Sequence, residues 1–418
     1  MNPMPAHIDY EIAIVGAGQA GAALAALLVR HAGYPASRIA LLAPDAPADH
    51  AGHDAGLAAA AEPELRVVAL SRASQRVLVN AGAWERLPAE RLCAYEQMRV
   101  WHASLPADGL ATLVFDAAEI GEAALGVIVE NSAVTRACLQ SFQAAGGEPI
   151  RAALNDFTID ADGLSLRLAD GTSLRSRLIV GADGADSLVR ERSGIELQRH
   201  SYGQRAIVAT VATARPHRNT AWQRFLPTGP VALLPLFNGA CSIVWSADDV
   251  LAQELLALPA AQFAQRLEAA TDGVLGAITL RSERAAFPLQ RATAKRLVAP
   301  RAALLGDAAH RIHPLAGQGI NLGFLDAAAL CESIAAARVA HEDPGSPRTL
   351  RRYEQARLTH DTLMSVSMSA FNTLFSQGGA AGWIGSRLLA MAGLYSGVRR
   401  SLARRAMGLE GEVPTLAR

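Results

Sequence analysis

Cysteine is scarce in this 418-residue chain and follows no pattern: Cys93, Cys138, Cys241 and Cys331 stand far apart, with no C-x-x-C among them. That argues against a zinc site or a disulfide framework and for reduced thiols in a cytoplasmic protein. Net charge is lacking too. Lys plus Arg and Asp plus Glu number 39 each, so no overall field gathers nucleic acid or another polyanion, and no nucleic-acid partner is expected. Low-complexity segments are absent, and 50% hydrophobic with 19% charged residues describes a globular chain. No uninterrupted membrane-length apolar run opens the chain. The stretch from Ile12 to Val29 is broken by Gly16, Gly18 and Gly21, and acidic Asp9 and Glu11 precede it where a signal peptide is basic.

The length suits an α/β unit with an inserted sheet. Residues Glu11 to Val15, Ala22 to Arg30 and Ile39 to Ala43 read as strand, helix and strand, a βαβ opening. The 55–61 stretch reads as a loop, Ser71 to Ala81 as a helix, and Val127 to Glu130 as a strand entering a helix from Ser132 to Ala145. Asp170-Gly171 joins two strands as a hairpin. From Ile195 to Pro300 the texture turns strand-like, with turns at Thr228-Gly229 and Asn238-Gly239 and one helix from Leu251 to Ala270. The expected architecture is a Rossmann-like domain over 1–194, an antiparallel sheet for the substrate over 195–300, a return to the first domain over 301–340, and C-terminal helices over 341–418.

Three segments carry chemistry. Gly16-Ala17-Gly18-Gln19-Ala20-Gly21 follows a strand and opens a helix, where glycine allows a tight turn and close approach of a pyrophosphate to the helix N-terminus. The acid that usually ends the second strand is missing; Ala43 stands there, and Asp45 is the nearest group for the ribose hydroxyls. Gly181-Ala182-Asp183-Gly184-Ala185-Asp186 ends a later strand and reads equally as a Gly/Asp surface turn. Gly306-Asp307 and His313-Pro314-Leu315-Ala316-Gly317-Gln318-Gly319-Ile320-Asn321 precede and open a long helix whose N-terminal N–H groups suit the negative edge of a reduced flavin.

In that order and spacing, the three motifs resemble the aromatic-hydroxylating flavoprotein monooxygenases related to para-hydroxybenzoate hydroxylase. Arg66-Val67-Val68-Ala69-Leu70-Ser71, Val129-Glu130-Asn131, Gly229-Pro230-Val231-Ala232-Leu233-Leu234-Pro235-Leu236 and Ala406-Met407-Gly408-Leu409 extend the likeness to the ubiquinone-biosynthesis hydroxylases over nearly the whole chain. The resemblance implies FAD, with its pyrophosphate at Gly16, Gly18 and Gly21 and its ribityl hydroxyls on Asp307. It implies backbone contact with the isoalloxazine edge from Gly317 through Gly319 to Asn321, with Pro314 and Arg136 also on the cofactor. Asp183 and Gly184 match the segment that supports both FAD and NAD(P)H. No second G-x-G-x-x-G is present, so NAD(P)H is expected to bind transiently in a groove. Arg66 is placed on the adenosine or phosphate side, or else in a surface salt bridge. The implied reaction is hydroxylation of a polyprenylated phenol by way of a flavin C4a-hydroperoxide formed from NAD(P)H and dioxygen.

His310 and His313 stand three apart, but their glycine-turn setting speaks against metal, and none is expected. Phe225, Pro235 and Trp245, with Trp222, are expected to line an apolar substrate pocket or to be sheet core. Leu388, Leu389, Leu394 and Leu402 beside Arg387, Arg399, Arg400, Arg404 and Arg405 read as a basic amphipathic surface meeting lipid head groups at the inner face of the membrane, or as a helix packed on its own protein. Other readings stay open: hydroxylation of another aromatic, a non-catalytic flavin scaffold within a biosynthetic complex, or a prenyl-chain reductase.

Overall fold

The computed structural model describes residues 7–44, 62–109, 112–311, 318–357, 396–411 and 413–418. The chain opens with β1 (Tyr10–Val15), α1 (Gln19–Arg30) and β2 (Ile39–Leu42), continuing into β3 (Val67–Ser71) and α2 (Arg72–Asn80). Short strands β4 (Cys93–Tyr95), β5 (Gln97–His102) and β6 (Leu113–Asp116) come next, and then β7 (Gly126–Glu130) enters α3 (Asn131–Ala144). Strands β8 (Leu154–Ile159), β9 (Leu164–Leu168) and β10 (Ser173–Gly181) form a meander that ends in α4 (Leu188–Arg192). Asp170 and Gly171 make the β9–β10 turn as expected, with Gly171 at φ +89° and the Asp170 carboxylate accepting from the Thr172 N–H at 2.9 Å.

Strands β11 (Leu197–Thr213), β12 (Thr220–Leu226), β13 (Gly229–Pro235) and β14 (Cys241–Asp248) are followed by α5 (Asp249–Ala257) and α6 (Ala260–Ala270). The single helix expected over 251–270 is thus two. Pro259 has no N–H to continue the ladder, and Leu258 before it is extended at ψ 144°. The chain returns through β15 (Ile278–Leu280), β16 (Ala285–Ala294), β17 (Val298–Ala299), β18 (Ala302–Leu304) and β19 (His310–Arg311) to α7 (Gln318–Val339), α8 (347–357) and α9 (Ser396–Ala406).

The strands sort into three sheets. In the first, β2, β1, β10 and β18 run parallel in the order β18-β10-β1-β2, the α/β arrangement expected, with strand ends opening toward the glycine segments. The second has nine strands, β19-β16-β11-β14-β13-β12-β5-β6 with β15 beside β11. It is antiparallel except where β5 pairs parallel with β12, so residues 97–116 supply two strands that were not expected in it. A small sheet, β3-β7-β4, lies between the two.

Helix α7 is long and apolar enough to cross a membrane, but 78% of its apolar window is buried inside the protein, where it packs on α1. At the C-terminus, Ala403 and Met407 are buried, and Met407 packs with Ala117 and Leu125, so this face of α9 packs on its own chain. The residues around Leu388, Leu389 and Leu394 lie outside the described ones.

A candidate cofactor and substrate cleft

The three glycine segments meet at the ends of the parallel strands. A Cβ on Gly16, which sits at φ +101°, would overlap the Ala182 carbonyl, and one on Gly21 would overlap the Gly16 carbonyl. A Cβ on Gly323 of α7 would come 3.2 Å from Ala20 Cβ and 3.4 Å from Gly306 Cα. These glycines let the three segments close on one another. Gly18, Gly184 and Gly319 are different: an added Cβ would meet nothing within 4 Å. Their open sides face a cleft of ≈ 450 Å³, within the usual size range of ligand pockets.

One wall of the cleft is Gly18, Gln19, Ala20, Ala182 and Gly184; another is Gly306, Asp307, Gly319, Ile320 and Gly323. Arg66 and Asn131 stand at its side, with the Asn131 N–H bonded to the Arg66 carbonyl and Gln19 Nε2 donating to the Asn131 carbonyl. The opposite wall belongs to the large sheet: Ala206, Val208, Leu234, Ser242 and Val244, with Phe287 and Leu289 at one edge.

The donor set fits FAD. Helix α1 begins at Gly18 with no side-chain cap and no acid in its first turn, leaving N–H groups for a pyrophosphate. Asp307 is exposed on the cleft wall, where a carboxylate can accept from sugar-alcohol hydroxyls. Asp183 Oδ1 and Asn131 Oδ1 are buried without a protein partner, two acceptors of the kind a bound ligand satisfies. Asp183 Oδ2 is already used, accepting from the Val189 N–H at 3.2 Å.

Of the residues expected at the cofactor, the cleft brings together Gly18, Arg66, Gly184, Asp307 and Gly319, with Gly16 and Gly21 packed behind them. Arg66 is exposed, and its guanidinium lies 5.5 Å from the centroid of the Phe287 ring, with no ion pair among the described residues. Arg136 is half-buried further along α3 and does not line the cleft. The Asn321 side chain turns away from it: Oδ1 accepts from the Ser71 N–H at 2.9 Å and Ser74 Oγ at 2.7 Å, while Nδ2 donates to the Ala69 carbonyl. Asn321 therefore pins α7 to β3 and α2. Asp45, Pro314 and Gly317 fall outside the described residues, as does His313.

None of the three residues expected to line an apolar substrate pocket, or else to be sheet core, is among those lining this cleft. Trp245 points to the other face of β14, 6.1 Å from the Phe263 ring of α6, and Pro235 lies one residue beyond the cleft-facing Leu234. Phe225 is buried on β12, beyond the strands that form the wall. Alternation along a strand sends neighbours to opposite faces, and the cleft takes the even-numbered set on β11, β13 and β14.

Two buried networks that the sequence reading missed hold the third segment in place. Asp326 on α7 is fully buried, accepting from the Gly306 N–H at 3.0 Å and pairing with His310 Nε2 and Arg357 Nε at 2.7 Å each. Burial pushes its carboxyl up, but the adjacent His310 and Arg357 charges and the hydrogen bonds outweigh that and hold it below the usual carboxylate range. Arg190, buried at the start of α4, donates to the carbonyls of Ala308 and Ala185 at 3.0 Å each and so ties the second segment to the third. Its burial draws the guanidinium pKa down. The only sequence signal for Asp326 was an acid within the apolar first half of the helix.

Comparison with known proteins agrees with this geometry. Residues 127–365 match the FAD binding domain family. The chain is 35% identical over 368 residues to the 3-demethoxyubiquinol 3-hydroxylase of Escherichia coli, covering 88% of this chain and 90% of that one. It is 35% identical over 415 residues to the ubiquinone hydroxylase UbiL of Rhodospirillum rubrum, covering 98% and 92%. Among solved structures, PqsL of Pseudomonas aeruginosa in complex with 2-aminobenzoylacetate superposes with a TM-score of 0.74 at 23% identity, over 91% of this chain and 98% of that one. The p-nitrophenol 4-monooxygenase PnpA of Pseudomonas putida gives 0.74 at 19%, over 96% and 98%, a likeness of fold. With more than half its length matched by the flavin-binding family and nearly all of it by ubiquinone-pathway hydroxylases, the chain belongs to the FAD-dependent monooxygenases of the ubiquinone-hydroxylase family.

Proposed function

We propose that this enzyme hydroxylates the ring of a lipophilic phenol carrying a polyprenyl tail, using FAD, NAD(P)H and dioxygen. The observation that carries the reading is the make-up of this cleft: glycine-lined and polar where the parallel strands end, apolar where the large sheet faces it. What FAD supplies when bound is acceptance of hydride from NAD(P)H and activation of dioxygen for transfer of one oxygen atom to an electron-rich ring.

The protein's share is to bind, orient and exclude water. Gly18 and the first N–H groups of α1 hold the pyrophosphate, Asp307 accepts from the ribityl hydroxyls, and Asp183 and Gly184 support the cofactor from the second segment. Gly319, at the start of α7 on the cleft wall, is assigned to the isoalloxazine edge. Ala206, Val208, Leu234 and Val244 offer the ring a dry wall, which favours productive oxygen transfer over loss of peroxide to water. Arg66 over Phe287 at the cleft rim suits the transient docking of NAD(P)H. The exposed Arg405 of α9 suits a peripheral position at the inner face of a membrane that holds such a substrate, or a place in a biosynthetic complex.

The test is purified protein with FAD, NADPH, ¹⁸O-labelled dioxygen and a short-chain prenylated phenol in detergent. One labelled oxygen in the ring per NADPH consumed is expected. Folded protein that binds no FAD rejects the reading, and FAD binding without labelled product moves it to the scaffold or the reductase.

A further inference from the structure

We propose that Ser242, with Thr210 beside it, is the specificity-determining polar contact of the substrate wall, recognising an uncharged oxygen substituent, hydroxyl or alkoxy, on the aromatic ring. The inference rests on the hydroxylase reading and extends it to the class of ring that the site takes.

The cleft-facing positions of β11, β13 and β14 are apolar at Ala206, Val208, Leu234 and Val244, and Ser242 interrupts them. Ser242 is 2% exposed and makes no side-chain hydrogen bond among the described residues. Thr210 stands directly opposite it in the β11–β14 register, also 2% exposed, with its Oγ1 buried and unpartnered. The Thr210 backbone is satisfied: its N–H donates to Ser282 Oγ at 2.8 Å and its carbonyl accepts from the Arg281 N–H at 2.8 Å. Only the hydroxyls are left open.

Ser242 lines the cleft and Thr210 does not, and opposed residues on one face of a sheet lie about 5 Å apart, so a ring substituent meets the Ser242 hydroxyl with Thr210 flanking it. Each hydroxyl donates and accepts, which matches a phenol or an ether oxygen. No Lys or Arg occupies the same face of β11, β13 or β14 beside them, and the cations of the cleft, Arg66 and Arg311, come from outside these three strands. The wall at this point therefore offers a ring substituent a neutral hydrogen-bond partner.

The test compares wild type, Ser242→Ala, Thr210→Val and Ser242→Thr on two prenylated phenols that differ only in a ring methoxy group, reading kcat, KM and product formed per NADPH. FAD content and thermal midpoint report folding. The wild type is expected to favour the methoxylated ring. In Ser242→Ala the ratio of kcat/KM between the two compounds falls about tenfold, mainly through KM and with more uncoupled NADPH oxidation, and Ser242→Thr restores it. A ratio unchanged in both Ser242→Ala and Thr210→Val overturns the proposal while leaving the hydroxylase reading intact, as does an equal loss on both compounds. A wild type that turns over neither compound overturns the activity and this proposal with it.

Discussion

The carboxylate of Asp326 takes the Gly306 N–H at 3.0 Å, so an acid two turns into α7 sets the turn that presents Asp307 to the cleft. The same carboxylate neutralises Arg357, which is itself fully buried. Removing one member of such a pair leaves a buried charge uncompensated, and Asp326→Asn is expected to cost about 3–5 kcal/mol of stability. The checks are denaturant unfolding and the FAD dissociation constant, both of which should worsen. Loss of stability with FAD affinity untouched would separate Asp326 from the Asp307 turn.

The same residue gives the protein an acid-sensitive element. Because its folded pKa is held below the unfolded value, its contribution to stability is complete above about pH 4 and is lost as pH falls toward the folded value. Unfolding midpoints of the wild type should drop from about pH 4 downward by more than those of Asp326→Asn, which has no carboxyl left to protonate. Parallel curves for the two proteins would refute this.

Gly16 and Gly18 belong to one motif but have separable roles. At Gly16 the backbone is left-handed and a Cβ would overlap the Ala182 carbonyl, so Gly16→Ala strains the fold itself. At Gly18 the space is open and lies on the cleft. Gly18→Ala should unfold within about 0.5 kcal/mol of the wild type while binding FAD more weakly. Gly16→Ala should lower the thermal midpoint of apoprotein and holoprotein alike.

How much of this the sequence discloses depends on whether a signal is local. The β1–α1–β2 opening was legible to within a few residues, because a strand, a glycine turn and an apolar helix follow one another without help from afar. Pro259 carried the break between α5 and α6 in plain view. By contrast, Trp245 and Val244 are both sheet residues of an apolar strand, and both faces of that strand are covered, so period-two alternation does not say which face looks into the cleft. Strands β5 and β6 escaped because their residues mix polar and apolar types and because β5, which carries β6, pairs with β12 more than a hundred positions away. Asp326, Arg357, His310 and Gly306 form a network only when β18, α7 and α8 are packed, and nothing in their spacing announces it.

The thiols make a prediction of silence. All four cysteines are buried, and burial pushes Cys93 up to about 11 and Cys138 and Cys241 up to about 12, with Cys331 raised further. Thiolate is the reactive form, so a chromogenic disulfide reagent at pH 8 should find essentially no fast thiol in the native protein. In denaturant all four should react. A rapidly modified native cysteine would show that the core around it opens.

Asp307 and Arg190 flank the same turn, and their substitutions should part company. Asp307 is exposed on the cleft wall, so Asp307→Ala should leave apoprotein stability within about 0.5 kcal/mol of the wild type. If its carboxylate accepts from the cofactor, losing that charged hydrogen bond costs about 1.5–3 kcal/mol, a roughly 10- to 100-fold weaker FAD complex. Arg190 instead bonds Ala308 on one side and Ala185 on the other from a buried position. Arg190→Ala strands two carbonyls and unties the second segment from the third, so it should lower apoprotein stability as well as FAD affinity. Flavin fluorescence titration and apoprotein melting, run on both variants, decide the matter: weakened binding without destabilisation identifies Asp307 as a ligand of the cofactor, and destabilisation of both variants would make it one more brace of the turn.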